Sequence, residues 1–472
     1  MIAIIEKVYQ FLWGDWIVLP LPGGSSFRLS LLVLILIPAG IWFTIRTKFL
    51  PIRLFPDMLH ALFEKKGKEE GESHNSTLSA LQTLIVSTAT RVGMGNLVGV
   101  VAAISAGGAG AVFWMWVTAL IGSSTAFVEA TLAQIYKEKD PVYGGYRGGP
   151  AYYMHRFIQE KRGGQKKRYV GISVLFAISG LICWCGISQV ISNSVTSAFH
   201  NAFHIPPIYT TVVLVALAAV IIFRKTATVK VLDVLVPVMA GCYFLITVIL
   251  ICMNFSALPG VFSRIFEEAF GIRQAVAGGL GTVVMNGVKR GLFSNEAGSG
   301  SAPCAAAAAE SDQPVKLGLT QALGVFIDTI VICSCTAMIM LLTPESLTEG
   351  AVGMELLQVA MGYHLGQFGV IFIAATLWLF SFSTFLGILY YARSNVSYLF
   401  GDGMLPQNLY KVLALVMMFI GGLAAYTVVW DLGDVGVGLM TVFNIIMLYP
   451  MSGIAMKALK SYETEKKNRK KG

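Results

Sequence analysis

From Leu97 to Val128 the chain carries no charged residue, and neither does the stretch from Leu78 to Thr90. Between them stands Arg91-Val-Gly-Met-Gly-Asn96. Uncharged apolar runs of this length cross a bilayer as helices, because roughly 20 residues span its hydrocarbon core. An arginine at that depth is costly unless something uses it, and the two glycines weaken the helix around it. Backbone groups exposed by a break must be satisfied by protein, ligand, ion or cavity water. An interrupted membrane helix near the midplane is a pointer to a transport site.

The rest of the chain fits that reading. Of 472 residues, 55% are hydrophobic and 13% charged, about half the soluble average of roughly 25%. The chain is therefore expected to be an all-α polytopic membrane protein with the lipid bilayer as a partner. The net charge of +9 reports loops on the cytoplasmic side rather than nucleic acid. The seven cysteines (183, 185, 242, 252, 304, 333 and 335) lack a second Cys or His pair at ligand spacing and read as small packing residues.

Eleven transmembrane spans fit the pattern. One leading helix runs from Leu29 to Ile45. Ten follow at about 79–105, 110–136, 170–198, 208–223, 231–253, 274–309, 317–342, 367–391, 411–429 and 435–456. Pro206-Pro207 splits the charge-free run 169–223 in two. With the amino terminus outside and the carboxyl terminus cytoplasmic, inside segments hold 28 Lys and Arg and outside segments four, which sets the orientation. The organisation expected is an outer-interface amphipathic segment (1–28) and a leading helix (29–46). A cytoplasmic linker (47–77), two halves (78–253 and 254–456) and a basic cytoplasmic tail (457–472) follow. Trp13 and Trp16 mark the first segment as interfacial.

A second interruption lies in the sixth span after the leading helix. It reads Gly287-Val-Lys-Arg-Gly-Leu-Phe-Ser-Asn-Glu-Ala-Gly-Ser-Gly-Ser-Ala-Pro303, followed by five alanines. Arg91 precedes Asn96 by five residues, as Arg290 precedes Asn295. Two broken helices five spans apart suit an inverted five-plus-five repeat.

Each break offers two kinds of ligand. A half-helix amino terminus presents N–H groups and partial positive charge to a carboxylate. The half-helix before it ends in carbonyls that suit Na⁺ or an ammonium. Amides of Gly93, Met94 and Gly95 are the expected carboxylate donors, beside Thr90 and Asn96. Phe293, Ser294 and Asn295 of the second break are the expected partners of the ammonium. For a sodium ion, Ala89 and Val92 offer carbonyls. Phe380 (carbonyl), Ser383 and Thr384 (hydroxyls) stand on one face of the eighth core span. Glu129, Glu296 and Asp328 are acids within or near spans, with Arg91, Lys289 and Arg290 as possible partners; structural pairing is favoured over a proton relay. The fifth core span has no Lys to replace a bound Na⁺, which leans toward sodium over proton coupling.

The motifs Ala89-Thr-Arg-Val-Gly-Met-Gly-Asn-Leu-Val-Gly99, Gly110-Ala-Val-Phe-Trp-Met-Trp-Val-Thr-Ala119, Tyr146-Arg-Gly-Gly-Pro-Ala-Tyr-Tyr153, Arg290-Gly-Leu-Phe-Ser-Asn-Glu-Ala-Gly298 and Gly324-Val-Phe-Ile-Asp-Thr329 resemble the alanine or glycine:cation symporter family. The resemblance implies a leucine-transporter-like fold in a bacterial or archaeal plasma membrane. It implies sodium-coupled symport of a small neutral amino acid, alanine or glycine, with no cofactor beyond the coupling ion and no enzymatic activity. Glutamine as substrate, or proton coupling, is the alternative. Phe380, Ser383 and Thr384 match that fold's second sodium site. Two departures stand out. In the third core helix, Ser188 and Ile191 replace the family's usual Asn and Gln on a face expected to line the substrate pocket. After the eighth span the usual acid is Arg393. Few intramembrane polar rings argue against a channel, and no clustered Ser/His or His/Asp/Glu set suggests an enzyme.

Overall fold

The computed structural model describes residues 2–20, 26–63, 93–164, 167–223, 227–272, 279–309, 311 and 313–469. Ala89, Thr90, Arg91 and Val92, the cytoplasmic half of the first core helix and residues 64–77 of the 47–77 linker lie outside the described residues.

The described chain is mostly helical. Helix α1 (Ile2–Trp13) leads into a hairpin of β1 (Ile17–Pro20) and β2 (Ser26–Leu29), then α2 (Leu31–Arg46) and α3 (Phe55–Phe63). After the gap come α4 (Gly95–Gly107), α5 (Gly110–Ile135), a short hairpin of β3 (Glu138–Lys139) and β4 (Tyr146–Arg147), α6 (Pro150–Lys161), α7 (Gly171–Phe203) and α8 (Pro207–Phe223). Then follow α9 (Ala227–Met253), α10 (Leu258–Ala269), α11 (Gly279–Asn295), α12 (Ala302–Ala308), α13 (Pro314–Leu341), α14 (Met354–Phe400), α15 (Met404–Leu423) and α16 (Tyr426–Arg469).

Six described helices are long and apolar enough to cross a membrane, or seven if α9 and α10, bent by 76° between them, count as one span. Three shorter apolar helices, α2, α4 and α8, accompany them. The double proline separates α7 from α8, because Pro207 cannot continue a helix but suits its first turn. Gly366, at φ 62°, bends α14 where the sequence begins a span.

Two features depart from the sequence expectation. Residues 17–20, read as part of an interfacial helix, form a strand. Trp13 is 1% exposed, and its Nε1–H donates to Asp434 O at 3.0 Å, so it pins α1 to α16 rather than lying in the interface. The tail beyond 456 continues α16 as helix, tied to the α3 region by Arg53–Glu463 (2.6 Å) and Lys466–Asp57 ion pairs. Leu459 is buried there, with Ala458 and Tyr462 packed beside it, and the Lys and Glu residues around them favour helix.

Helix α7 packs against α14, α15 and α16, and glycines set how close the last two approach. A Cβ on Gly436 would lie 2.3 Å from Cys183 Cα, and one on Gly421 would lie 2.3 Å from Gln189 Cα. In lipid, where helices gain little from the hydrophobic effect, such backbone contact carries association. Gly436→Val should therefore overpack the α7–α16 contact and destabilise by roughly 1–3 kcal/mol. The check is the melting temperature in detergent; an unchanged value would contradict this packing.

Candidate functional site

The start of α4, where the sequence places the first break, and the end of α11 meet at one buried polar hub. Before α4, Gly93 and Met94 are non-helical; Gly95–Gly99 then winds as a π-helix and Val100–Gly107 as an α-helix. Asn96 folds back on the break, and its Oδ1 accepts the Gly93 N–H at 3.0 Å. That is a cap: the amide left without a helical carbonyl is satisfied three residues on. The Asn96 Nδ2 donates to Asp328 Oδ1 at 2.7 Å and lies 3.4 Å from Ser294 Oγ. Ser294 Oγ donates to Asp328 Oδ2 at 2.7 Å, and Thr329 Oγ1 donates to the same oxygen at 3.0 Å. Thr336 Oγ1 donates to Asn96 O at 2.8 Å. Asn96, Ser294, Asp328, Thr329 and Thr336 are all buried.

Asp328 stands on a second π-helical stretch, Ile327–Cys333 within α13. Two π-turns facing each other are notable because π-bulges gather at functional sites, where the extra residue re-aims side chains. Gly95 packs against α11, where a Cβ would sit in ordinary contact 3.6 Å from Ser294 Cα.

Of the expected sodium ligands, Thr384 touches the start of α4 beside this hub. Thr384 Oγ1 accepts the Met94 N–H at 3.1 Å, which ties α14 to the first break. Phe380 and Ser383 are buried on the same helix. Two of the three amides expected to bind a carboxylate, those of Gly93 and Met94, are thus held by side-chain oxygens. A break in a medium of low dielectric cannot leave them bare.

The second break is closed from a neighbouring helix. Glu296, Gly298 and Gly300 have positive φ (58°, 93° and 83°), which turns the chain sharply between α11 and α12. Glu129 of α5 enters that turn. Its Oε2 accepts the Gly298 N–H at 2.9 Å and its Oε1 the Gly300 N–H at 3.1 Å. Asn444 Nδ2 donates to Glu129 Oε1 at 2.5 Å and to Gly298 O at 3.0 Å, and Tyr153 OH donates to Asn444 Oδ1. At the far end of α12, Gln134 Nε2 and Lys137 Nζ donate to Ala309 O at 2.7 and 3.1 Å. Glu129 of α5 thus places an acid at the start of the half-helix and Lys137, just past the end of α5, a base at its end, which matches the helix dipole.

Ser294 and Asn295 diverge. Successive helical residues point about 100° apart, so Ser294 reaches the hub while Asn295 faces a cavity of about 20 Å³ lined also by Leu36, Gly40, Thr118 and Thr125. Its Oδ1 accepts the Ala297 N–H at 3.0 Å, and its buried Nδ2 has no partner. The structure does not bring Asn295 to Asn96. Phe293 packs on Trp430, ring centroids 5.0 Å apart. Ser188 bonds back to Trp184 O at 2.8 Å, and Ile191 is fully buried in the core; no hydrogen bond among the described residues ties Ser188 to the hub.

Lys289 and Arg290 pair with Asp434 of α16, which sequence reasoning missed. Arg290 binds both its oxygens at 3.0 Å, and Lys289 Nζ lies 2.6 Å from Oδ2. Arg290 also stacks over Trp430 at 3.9 Å. The two cations in α11 demanded an acid. The sequence did not say which, because Asp434 sits among glycines outside the apolar run assigned to the last span. Glu129 as a cap was equally hidden, since only the fold brings 129 beside 298 and 300.

Long apolar helices gathered around a buried carboxylate, where the start of α4 meets the end of α11, suit a membrane transporter. The chain belongs to the sodium:alanine symporter family, whose model matches residues 23–472. It is similar to the amino-acid carrier protein AlsT of Bacillus subtilis, 41% identical, with 94% of this chain and 91% of that one covered. The probable sodium/glutamine symporter GlnT of the same organism is 41% identical (93% and 89% covered). The sodium/alanine symporter AgcS of Methanococcus maripaludis is 32% identical (100% and 99%). In fold alone it resembles a manganese transporter of Eremococcus coleocola, TM-score 0.51 at 10% identity, over 84% of this chain and 82% of that one. Family membership makes it an amino-acid symporter and not an enzyme, a multi-pass protein of the plasma membrane.

Two outcomes follow for the site. Asp434→Asn should leave Arg290 and Lys289 short of a counter-charge in a buried setting and cost roughly 3–5 kcal/mol. Removing both cations as well (Asp434→Asn, Lys289→Met and Arg290→Met) should restore much of it. A triple variant no more stable than the single one would contradict the ion cluster. Glu129→Gln should weaken the caps on Gly298 and Gly300 by about 1–3 kcal/mol, read as faster amide hydrogen exchange at residues 296–302.

Proposed function

We propose that this chain imports a small neutral amino acid, alanine or glycine, coupled to Na⁺ and by alternating access. The observation that carries the reading is the junction of the two breaks at Asn96, Ser294 and Asp328, with Thr384 on Met94 N–H beside it. The substrate carboxylate takes the Gly93–Gly95 amides, displacing the oxygens of Asn96 and Thr384. The ammonium meets Phe293 O, Ser294 and the negative charge of Asp328. Sodium is held by Phe380 O, Ser383 and Thr384, with Ala89 and Val92 carbonyls completing the shell. Thr90 flanks the carboxylate, and Ser188 and Ile191 shape the side-chain end of the pocket. Ions favour one orientation of the carrier, and coupling is that difference in affinity.

Counting the three shorter apolar helices and the interrupted α11–α12 as spans gives eleven: a leading helix and ten in two inverted halves, 78–253 and 254–456. The amino terminus is outside and the tail cytoplasmic. Glutamine is the second reading, favoured by the relative named as a glutamine symporter, which is as similar as the carrier AlsT.

Counterflow in proteoliposomes, competed by each of the twenty amino acids, separates these substrates. Competition by glutamine but not alanine would replace the first reading with the second. Thr384→Ala should raise the Na⁺ concentration for half-maximal uptake by roughly tenfold, the equivalent of about 1.4 kcal/mol, while uptake at saturating Na⁺ is largely retained. Unchanged Na⁺ activation would remove Thr384 from the ion site, and activation by a pH gradient alone would assign coupling to protons.

A further inference from the structure

A second cavity lies away from the transport site. It is an open groove of about 560 Å³ between α5, α13 and the bent α9–α10 pair, lined by Trp116, Leu120, Ile251, Leu258, Phe262, Ile330, Ser334 and Met338. Its size falls within the roughly 300–1,000 Å³ typical of sites for small ligands. Its chemistry is one-sided. Seven of the lining residues are apolar or aromatic, and the eighth, Ser334, has its hydroxyl oxygen taken by the Trp116 Nε1–H at 2.8 Å. That bond also satisfies the indole, which leaves the Ser334 hydroxyl, with its own O–H, as the one polar group in the lining, too little to hold a polar ligand.

The groove's mouth is continuous with the lipid-facing surface. Leu120 is 48% exposed at the rim. Phe262, Phe266 and Phe270 of α10 are exposed beside it, and so are Leu245 and Ile249 of α9. Helix α10 turns 76° from α9 and is two-faced. Its aromatic side is only part covered, Phe262 and Phe266 meeting Trp116 and Phe113 of α5 while staying exposed, and Arg264 on the other side pairs with Glu268 at 2.7 Å and Glu345 at 2.5 Å. Helices of this kind lie along the membrane interface. A groove of hydrocarbon character just beneath such a helix opens into acyl chains.

The inner wall gives the groove a consequence. Ile330 and Ser334 belong to the stretch that carries the π-turn of α13, and their neighbours Asp328, Thr329 and Cys333 face the hub, where Cys333 Sγ lies 3.0 Å from Ser294 Oγ. One turn of backbone therefore separates the groove from the carboxylate between the two breaks.

We propose that this groove binds one acyl chain of a membrane phospholipid, and that the bound chain braces the π-turn holding Asp328. Recognition is by the chain and not the headgroup, because Arg264, the cation nearest the mouth in sequence, is already paired with two carboxylates.

The test uses the full-length protein, delipidated in detergent and then given oleoyl-chain phosphatidylglycerol, phosphatidylethanolamine, phosphatidylcholine or lyso-oleoyl-phosphatidylcholine. Native mass spectrometry reads retention, and amide hydrogen exchange reads residues 327–334. The expected result is one retained lipid per protein, equally for all four, with exchange at 327–334 slowed roughly fivefold, the low end of usual coupling between sites. Two variants at the half-exposed rim keep the core intact. Leu120→Arg should lose retention and the slowing. Leu120→Trp should lose retention but keep slow exchange without lipid, since the indole takes the chain's place. Retention that follows headgroup charge, retention unaffected by both variants, or lipid bound with no change at 327–334 would each overturn the proposal. None of these readouts depends on which amino acid is carried.

Discussion

A helix broken inside a bilayer leaves donors and acceptors that no water can reach, and the architecture of this chain follows from how those groups are satisfied. The first break is served by side chains on its own helix and on a distant one: Asn96 holds Gly93, and Thr384 holds Met94. The second is served from α5, where Glu129 holds Gly298 and Gly300. The two solutions differ in kind. Neutral oxygens hold the first break and exchange readily for a ligand. A carboxylate holds the second, and an incoming carboxylate would meet its repulsion. The asymmetry suits the different roles proposed for the two breaks.

Around that centre, close contact replaces the hydrophobic effect. Glycines at 421 and 436 bring α15 and α16 onto α7 at backbone distance, and Asp434 gathers Lys289 and Arg290 where α11 meets α16. Trp13 donates to the carbonyl of that same Asp434, so the amino-terminal helix, the second broken helix and the last helix share one residue. Such a node is strong while paired and costly when a partner is lost.

The sequence made the apolar helices and the turn between α11 and α12 legible, because charge-free runs and glycines at membrane depth have few readings. Thr384 was also within reach, since a polar Ser-Thr pair on an apolar helix needs an explanation. What stayed hidden was pairing across distance. That Glu129 caps residues 298 and 300, or that Asp434 answers Arg290, depends on helix packing that no local pattern encodes. Asn295 shows a further limit: its repeat-like match with Asn96 suggested the same duty, yet one helical step turned it from the hub toward α2, and its neighbour Ser294 took the place. The Arg393 departure is likewise resolved by contact. Its guanidinium pairs with the buried Asp140 and stacks over Tyr143 at 4.1 Å, fixing the β3–β4 hairpin to α14.

The cap that Asn96 places on Gly93 has a bearing on the return half of a transport cycle. A carrier that couples uphill uptake to an ion gradient must come back without cargo. An unoccupied break with bare amides would be a high-energy passenger on that journey, and it would invite stray anions or water to ride along. In the binding mode proposed above, Asn96 and Thr384 stand in for the cargo, and the empty form has a low-energy route home. Tightness toward the substrate is then set by how much better a carboxylate does than the protein's own oxygens.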